Sequence, residues 1–176
     1  MATTFTLIDK TILTTTQTSV TFSAIPSTYT DLKLVFSVRA TNYTGTFQNL
    51  GIRINGSGNT TGYSEFEVRG NGSAAASGGY TSTQFGLDRY PTQNATASTF
   101  GNGELYIPNY TSSNNKSMST DSTMENNATE SFSQLTAKLW SNTTAISSIY
   151  LFPVNGGGTD SFAVNSSFYL YGIKNS

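Results

Sequence analysis

The chain has no cysteine and no histidine among its 176 residues. Disulfides, thiolate and imidazole metal ligands, and catalytic triads built on a histidine base are therefore excluded at the outset. Charge is scarce as well. Nine Lys plus Arg stand against ten Asp plus Glu, charged residues are 11% of the chain and the net charge is −1, whereas soluble domains average about 25% charged residues. A surface so poor in clustered Lys and Arg has nothing to neutralise phosphates or anionic headgroups, so neither nucleic acid nor membrane is expected as a partner. No apolar run approaches the roughly 18 residues of a spanning helix, and MATTFTLIDKTILTTTQTSV at the N-terminus lacks the basic and apolar regions of a secretory signal. Synthesis in the cytosol is the expectation. The Asn-x-Thr triplets at Asn42, Asn94 and Asn142 then follow from composition, not from glycosylation.

What the chain does have is hydroxyl groups and alternation. Ser and Thr make up about 30% of the residues, far above ordinary usage. Period-2 runs recur throughout, and no helical periodicity lasts beyond a turn or two. In DLKLVFSVRA (31–40), Leu32, Leu34, Phe36 and Val38 point one way, while Lys33, Ser37 and Arg39 point the other. Similar patterns predict strands at 4–12, 19–25, 50–55, 63–70, 103–110, 132–140, 145–154 and 166–174, each bounded by turn residues. FSQLTAKLW (132–140) also admits a short helix, since Leu135 and Leu139 are four apart, but its β-type neighbours favour a strand. The Asn55-Gly-Ser-Gly, Asn71-Gly and Asn155-Gly-Gly-Gly stretches supply turns. About nine antiparallel strands around one core predict an all-β, single-domain sandwich over residues 1–176, of jelly-roll or immunoglobulin-like kind. Residues 1–12 read either as an ordinary first strand or as an arm that adds to a neighbouring subunit.

Two segments interrupt the rhythm and are expected to be long loops. Residues 71–98 set aromatics among Gly, Ala and Ser, and Tyr80, Phe85, Arg89 and Tyr90 form a candidate protein interface. The same aromatics would serve equally to close an open edge of the sandwich. Residues 111–130 have little apolar content beyond Met118 and Met124 and read as an exposed excursion.

Reactive constellations are few. Glu65 and Glu67 fall on one face of a strand, roughly 7 Å apart by the strand rise, a spacing that suits paired-carboxylate glycoside hydrolysis. Alternation with Phe66 and Val68 makes that face more simply the wet one. Asp9, Asp31, Asp88, Asp121 and Asp160 stand singly, with no calcium-loop pattern. GSGNTTG lacks the lysine of a phosphate loop, and no serine sits in a nucleophile elbow. Trp140 reads as a core residue capping one end, with a sugar-stacking platform as the alternative. No catalytic residue, metal ligand or cofactor is expected.

Taken in order, TLIDKTIL, SVTFSAIPSTYTDLKLVFSVRAT, LGIRINGSGNTTGYS, GELYIPNY, LWSNTTAISSIYL and SSFYLYGIK resemble a broad group of small virion structural proteins encoded by tailed bacteriophages. The matching phrases run from about residue 6 to the C-terminus, and 71–98 is the part least like them. The resemblance implies a non-enzymatic virion component, made in the host cytoplasm, that decorates or cements the capsid exterior through contacts with the major capsid protein or another virion protein. Similar chains are also labelled tail or fibre proteins, which keeps a glycan-recognising module, with Tyr63, Tyr80, Tyr90 and Trp140 as aromatic contacts, as the alternative. Homo-oligomerisation is expected, with a trimer favoured because repeated modest contacts on a lattice multiply.

Overall fold

The computed structural model describes residues 4–126, 130–154 and 159–174. Among them it has no helix and fourteen strands: β1 Phe5–Ile12, β2 Val20–Phe22, β3 Asp31–Val38, β4 Ala40–Thr41, β5 Phe47–Ile54, β6 Tyr63–Gly70, β7 Ala75–Ser82, β8 Phe85–Pro91, β9 Gly101–Ile107, β10 Lys116–Glu125, β11 Ser131–Trp140, β12 Ile149–Val154, β13 Ser161–Phe162 and β14 Ser167–Ile173. All pairings are antiparallel. An eight-stranded sheet runs β1-β14-β3-β9-β10-β11-β6-β7, a four-stranded sheet runs β2-β12-β5-β8, and β13 pairs with β4. The two larger sheets pack face to face in a sandwich-like arrangement around one apolar cluster.

The alternation of β3 does what its sequence dictates. Leu32, Leu34, Phe36 and Val38 are buried, and they meet Leu105 and Ile107 of β9, Phe168 and Leu170 of β14, and Ile52 and Leu151 from the facing sheet in the same cluster. Each such side chain contributes about 1.5–3 kcal/mol by leaving water. Arg39 ends the pattern: it is buried, and its guanidinium donates to the carbonyls of Ala95, Thr96 and Thr99. The Asn55-Gly turn forms with φ of 57° and 110°, and Gly72 after Asn71 takes φ of 85°. The Asn155-Gly-Gly-Gly turn lies outside the described residues.

Both expected loops are corrected. Residues 71–98 carry β7 and β8, and 111–130 carry β10. Strand β10 alternates strictly, but Lys116, Met118, Thr120, Ser122 and Met124 form its inner face, so hydroxyls do the work that apolar groups do elsewhere. Strand β7 is exposed at nearly every position and has no alternation to detect. Strand β1 pairs with β14 of its own chain, an ordinary edge strand of its own sheet.

Buried tyrosines leave a measurable mark. Tyr90 is fully buried and its hydroxyl has no hydrogen-bond partner among the described residues. Burial, then the charge of Asp160, pushes its pKa well above the ordinary value, and burial likewise raises Tyr63 and Tyr110. The fold therefore keeps Tyr90 neutral where the unfolded chain would ionise it. The resulting stability is complete below pH 10.0, the ordinary value, and is lost as pH rises beyond it. Tyr90→Phe should unfold at a higher pH than the parent and match or exceed its thermal stability at pH 7, because an unsatisfied buried hydroxyl is removed. Thermal scans monitored by circular dichroism across alkaline pH would check both.

Candidate interaction surface

Strands β10, β11, β6 and β7 extend the large sheet beyond the span of the small one, and β8, the edge of the small sheet, is the element that lies under this wing. Its faces are inverted with respect to hydropathy. Glu65 and Glu67 point inward and are 3% and 2% exposed, while Phe66 and Val68 between and beyond them are 65% and 62% exposed. On β11 the pattern repeats: Gln134, Thr136 and Lys138 are buried and Leu135 is 63% exposed. The expectation that Glu65 and Glu67 line the wet face is thus corrected. The alternation is real, but the acids take the inner side because β8 meets them with polar partners of its own.

Those partners form two linked clusters. Glu67 accepts from Arg69, from Arg89 at 2.9 Å and from Gln134 at 2.7 Å. Gln134 also donates to the Leu87 carbonyl, and the Arg89 guanidinium lies against the rings of Phe47 and Phe132. Lys138 lies 2.8 Å from Glu65 and 3.0 Å from Asp88. Burial raises the Glu65 pKa against the pull of Lys138 and the Gly86 N–H. For Lys138, burial disfavours the charge, but the carboxylates of Asp88 and Glu65 outweigh it and raise the pKa. With both carboxylates sealed, no sugar ring can reach between Glu65 and Glu67.

The outer face of the wing is the opposite surface. Register aligns Leu7, Tyr171, Lys33, Tyr106, Ser119, Ala137, Phe66 and Gly79 in one row across all eight strands. Phe66 lies flat over Gly79, where a Cβ would stand 2.3 Å from its ring, so the glycine lets the aromatic seat on the backbone. In the adjacent row Val68 faces Leu135 directly, and Leu135 faces Asp121, which faces Glu104. Together Phe66, Val68, Tyr106, Leu135 and Ala137 line an open groove of about 460 Å³ whose acidic side is formed by Glu104 and Asp121. A contiguous exposed apolar patch of this kind is what contact surfaces of folded proteins are made of.

Of the four candidate interface residues, Tyr80 is well exposed, on edge strand β7, and Arg89 is partly exposed. Phe85 and Tyr90 are fully buried, Phe85 edge-on to the Tyr63 ring and Tyr90 tilted against Phe162, and Arg89 is held between the sheets by Glu67. Their aromatics belong to β8, whose inward alternation was hidden by glycine-rich surroundings. Tyr63 and Trp140 are also sealed, which leaves Tyr80 as the one exposed aromatic of the suggested glycan contacts. Trp140 occupies the core, although its indole N–H finds no partner. The groove itself was missed, because Phe66, Val68 and Leu135 read as core residues; the signal that places them outside is the three-dimensional overhang of the wing.

No protein-family model, no curated protein and no solved structure matches this chain.

Proposed function

We propose that this chain is a non-enzymatic structural protein of a bacteriophage virion, attached to the capsid exterior through the outer face of the wing, and that its framework is a jelly roll. The framework proposal is supported by nested pairing. β1 pairs with β14, β2 with β12, β3 with β9 and β5 with β8, alternating between the large and the small sheet. This is the pattern of one long hairpin rolled up on itself, as in the jelly rolls of viral shells and lectins. Hairpins β6–β7 and β10–β11 are then insertions that pair with each other and build the wing. Because a fold alone assigns no function, the functional reading rests on the surface and on the resemblance of the ordered sequence phrases to virion proteins.

The carrying observation is that Phe66, Val68 and Leu135 stand out to solvent on strands whose Glu65, Glu67 and Lys138 are sealed inside. A chain that soluble life alone had shaped would gain stability from the reverse orientation. The complementary surface on the shell protein is apolar, with basic residues placed to meet Glu104 and Asp121. Low net charge keeps such an attachment weakly sensitive to salt. Self-assembly into a closed trimer is part of the proposal, supported by the open edge of β1 with its exposed Phe5, Leu7 and Ile12. Locating the chain in a map of the intact particle is the test. Many copies on the shell, with the wing against the lattice, are expected. A few copies confined to the tail would overturn the capsid station and favour the tail or fibre module that binds a host glycan.

A further inference from the structure

We propose that Lys138 and Asp88 are joined by an intramolecular amide bond that the folded chain forms by itself, with Glu65 as the proton carrier. Lys138 on β11 stands directly opposite Glu65 on β6, and Asp88 reaches them from β8 of the other sheet. The side chains of Lys138 and Asp88 have no exposure and that of Glu65 has 3%. Nζ lies 2.8 Å from Glu65 Oε2 and 3.0 Å from Asp88 Oδ2. The ring of Phe85, 5.4 Å from Nζ, packs against the same group.

The surroundings assign the roles. Both Glu65 oxygens are held, Oε1 by the Gly86 N–H at 2.6 Å and Oε2 by Lys138, which fixes this carboxylate as a base. Asp88 is placed as the acceptor. Its Oδ1 faces the hydroxyls of Ser122 and Thr136 at 3.4 Å each, donors positioned for an oxyanion, and its Oδ2 lies 3.0 Å from the Lys138 Nζ. One ammonium and two carboxylates in a dry space leave an excess negative charge. Condensation removes the charges of Lys138 and Asp88 together and relieves the desolvation that an ion pair must carry.

The step balances without any co-reactant. The ammonium passes one proton to Asp88, giving a neutral amine beside a neutral carboxylic acid. Nζ then attacks Cγ, and Glu65 takes a proton from the nitrogen as the N–C bond forms. Ser122 and Thr136 donate to the oxyanion on Oδ1. Glu65 returns its proton to the Asp88 hydroxyl, which leaves as water, and the C=O of the new amide re-forms. Reacting groups held about 3–3.5 Å apart in one molecule have effective concentrations far above any reached in solution, which favours a condensation that is slow between free molecules.

The bond would tie the two sheets together beneath the wing, and it is independent of what the outer face binds. Intact mass spectrometry of the folded full chain, taken in denaturant, is expected to read one water less than the sequence requires. Protease digestion is expected to yield a branched peptide joining the segments that contain Asp88 and Lys138. Lys138→Arg and Glu65→Gln should each read the full mass for their own sequence. A wild-type chain, folded by circular dichroism, that keeps the full sequence mass after prolonged incubation would overturn the cross-link without recourse to any variant. A branch at Glu65 would overturn the assignment of Asp88 as acceptor, and a lightened Glu65→Gln chain would overturn the role given to Glu65.

Discussion

Replacing Glu67 by alanine should lower the unfolding free energy by about 3–5 kcal/mol, the range expected when one partner of a buried ion pair is removed. Glu67 holds Arg69, Arg89 and Gln134 at once, and among the described residues it is the one carboxylate within ion-pair distance of Arg89. Without Glu67 the guanidinium would stay largely buried against the rings of Phe47 and Phe132, offset only by the more distant charge of Asp88. Glu104→Gln supplies the contrast. Glu104 pairs with Lys33 at 2.6 Å, but its side chain is 49% exposed, so the loss should stay within about 1 kcal/mol. Denaturant unfolding, with the slope checked for constancy, separates the two. Equal effects from both changes would mean that β6 turns its acids to water.

Under the proposed attachment to the shell, substituting serine for Val68 and Leu135 together should weaken binding strongly while leaving the fold nearly untouched. The two side chains face each other across β6 and β11 and stand out to solvent, so the free protein loses only a cross-strand pair, about 0.2–1 kcal/mol. On the particle the same side chains would be desolvated anchors, each worth about 2 kcal/mol or more. Binding of the double variant to particles lacking the protein should therefore weaken by roughly 100-fold or more, since each 1.4 kcal/mol is tenfold. Co-sedimentation with particles, set beside a thermal melt of the free protein, reads both quantities. Undiminished binding would move the attachment site elsewhere on the surface.

Legibility in the sequence followed what each strand used to fill its inner face. β3 was plain because its inner positions are Leu, Leu, Phe and Val. β10 was hidden because Thr120 and Ser122 occupy equivalent positions, and hydropathy does not register a hydroxyl that packs inward. β6 and β11 are both legible as strands, but the face assigned to β6 is the wrong one, since hydropathy assumes that the core lies behind every apolar stripe. Here the core ends at β8, and beyond it Glu65, Glu67, Gln134 and Lys138 find partners that no local pattern announces. Phe85 and Tyr90, set among glycine, serine and threonine, read equally as surface anchors or as aromatics that close an open edge of the sandwich; they are the inward residues of a strand. Trp140 was placed in the core by size and polarity alone, and it sits there. What joins Glu65 to Asp88 and Lys138 is the packing of one sheet on another, a relation between residues far apart in the chain.

The nesting of β1 against β14 also governs how the molecule comes into being. β14 lies between β1 and β3, so β1 has no partner in the sheet, and β3 has β9 alone, until residues 167–173 have left the ribosome. Contacts so distant along the chain place folding in the slow range, on the order of milliseconds to seconds, and unpaired strands are where chains stick to one another during such a delay. Serine and threonine hydroxyls, so abundant in this chain, would keep the waiting edges hydrated until β14 pairs with β1 and β3.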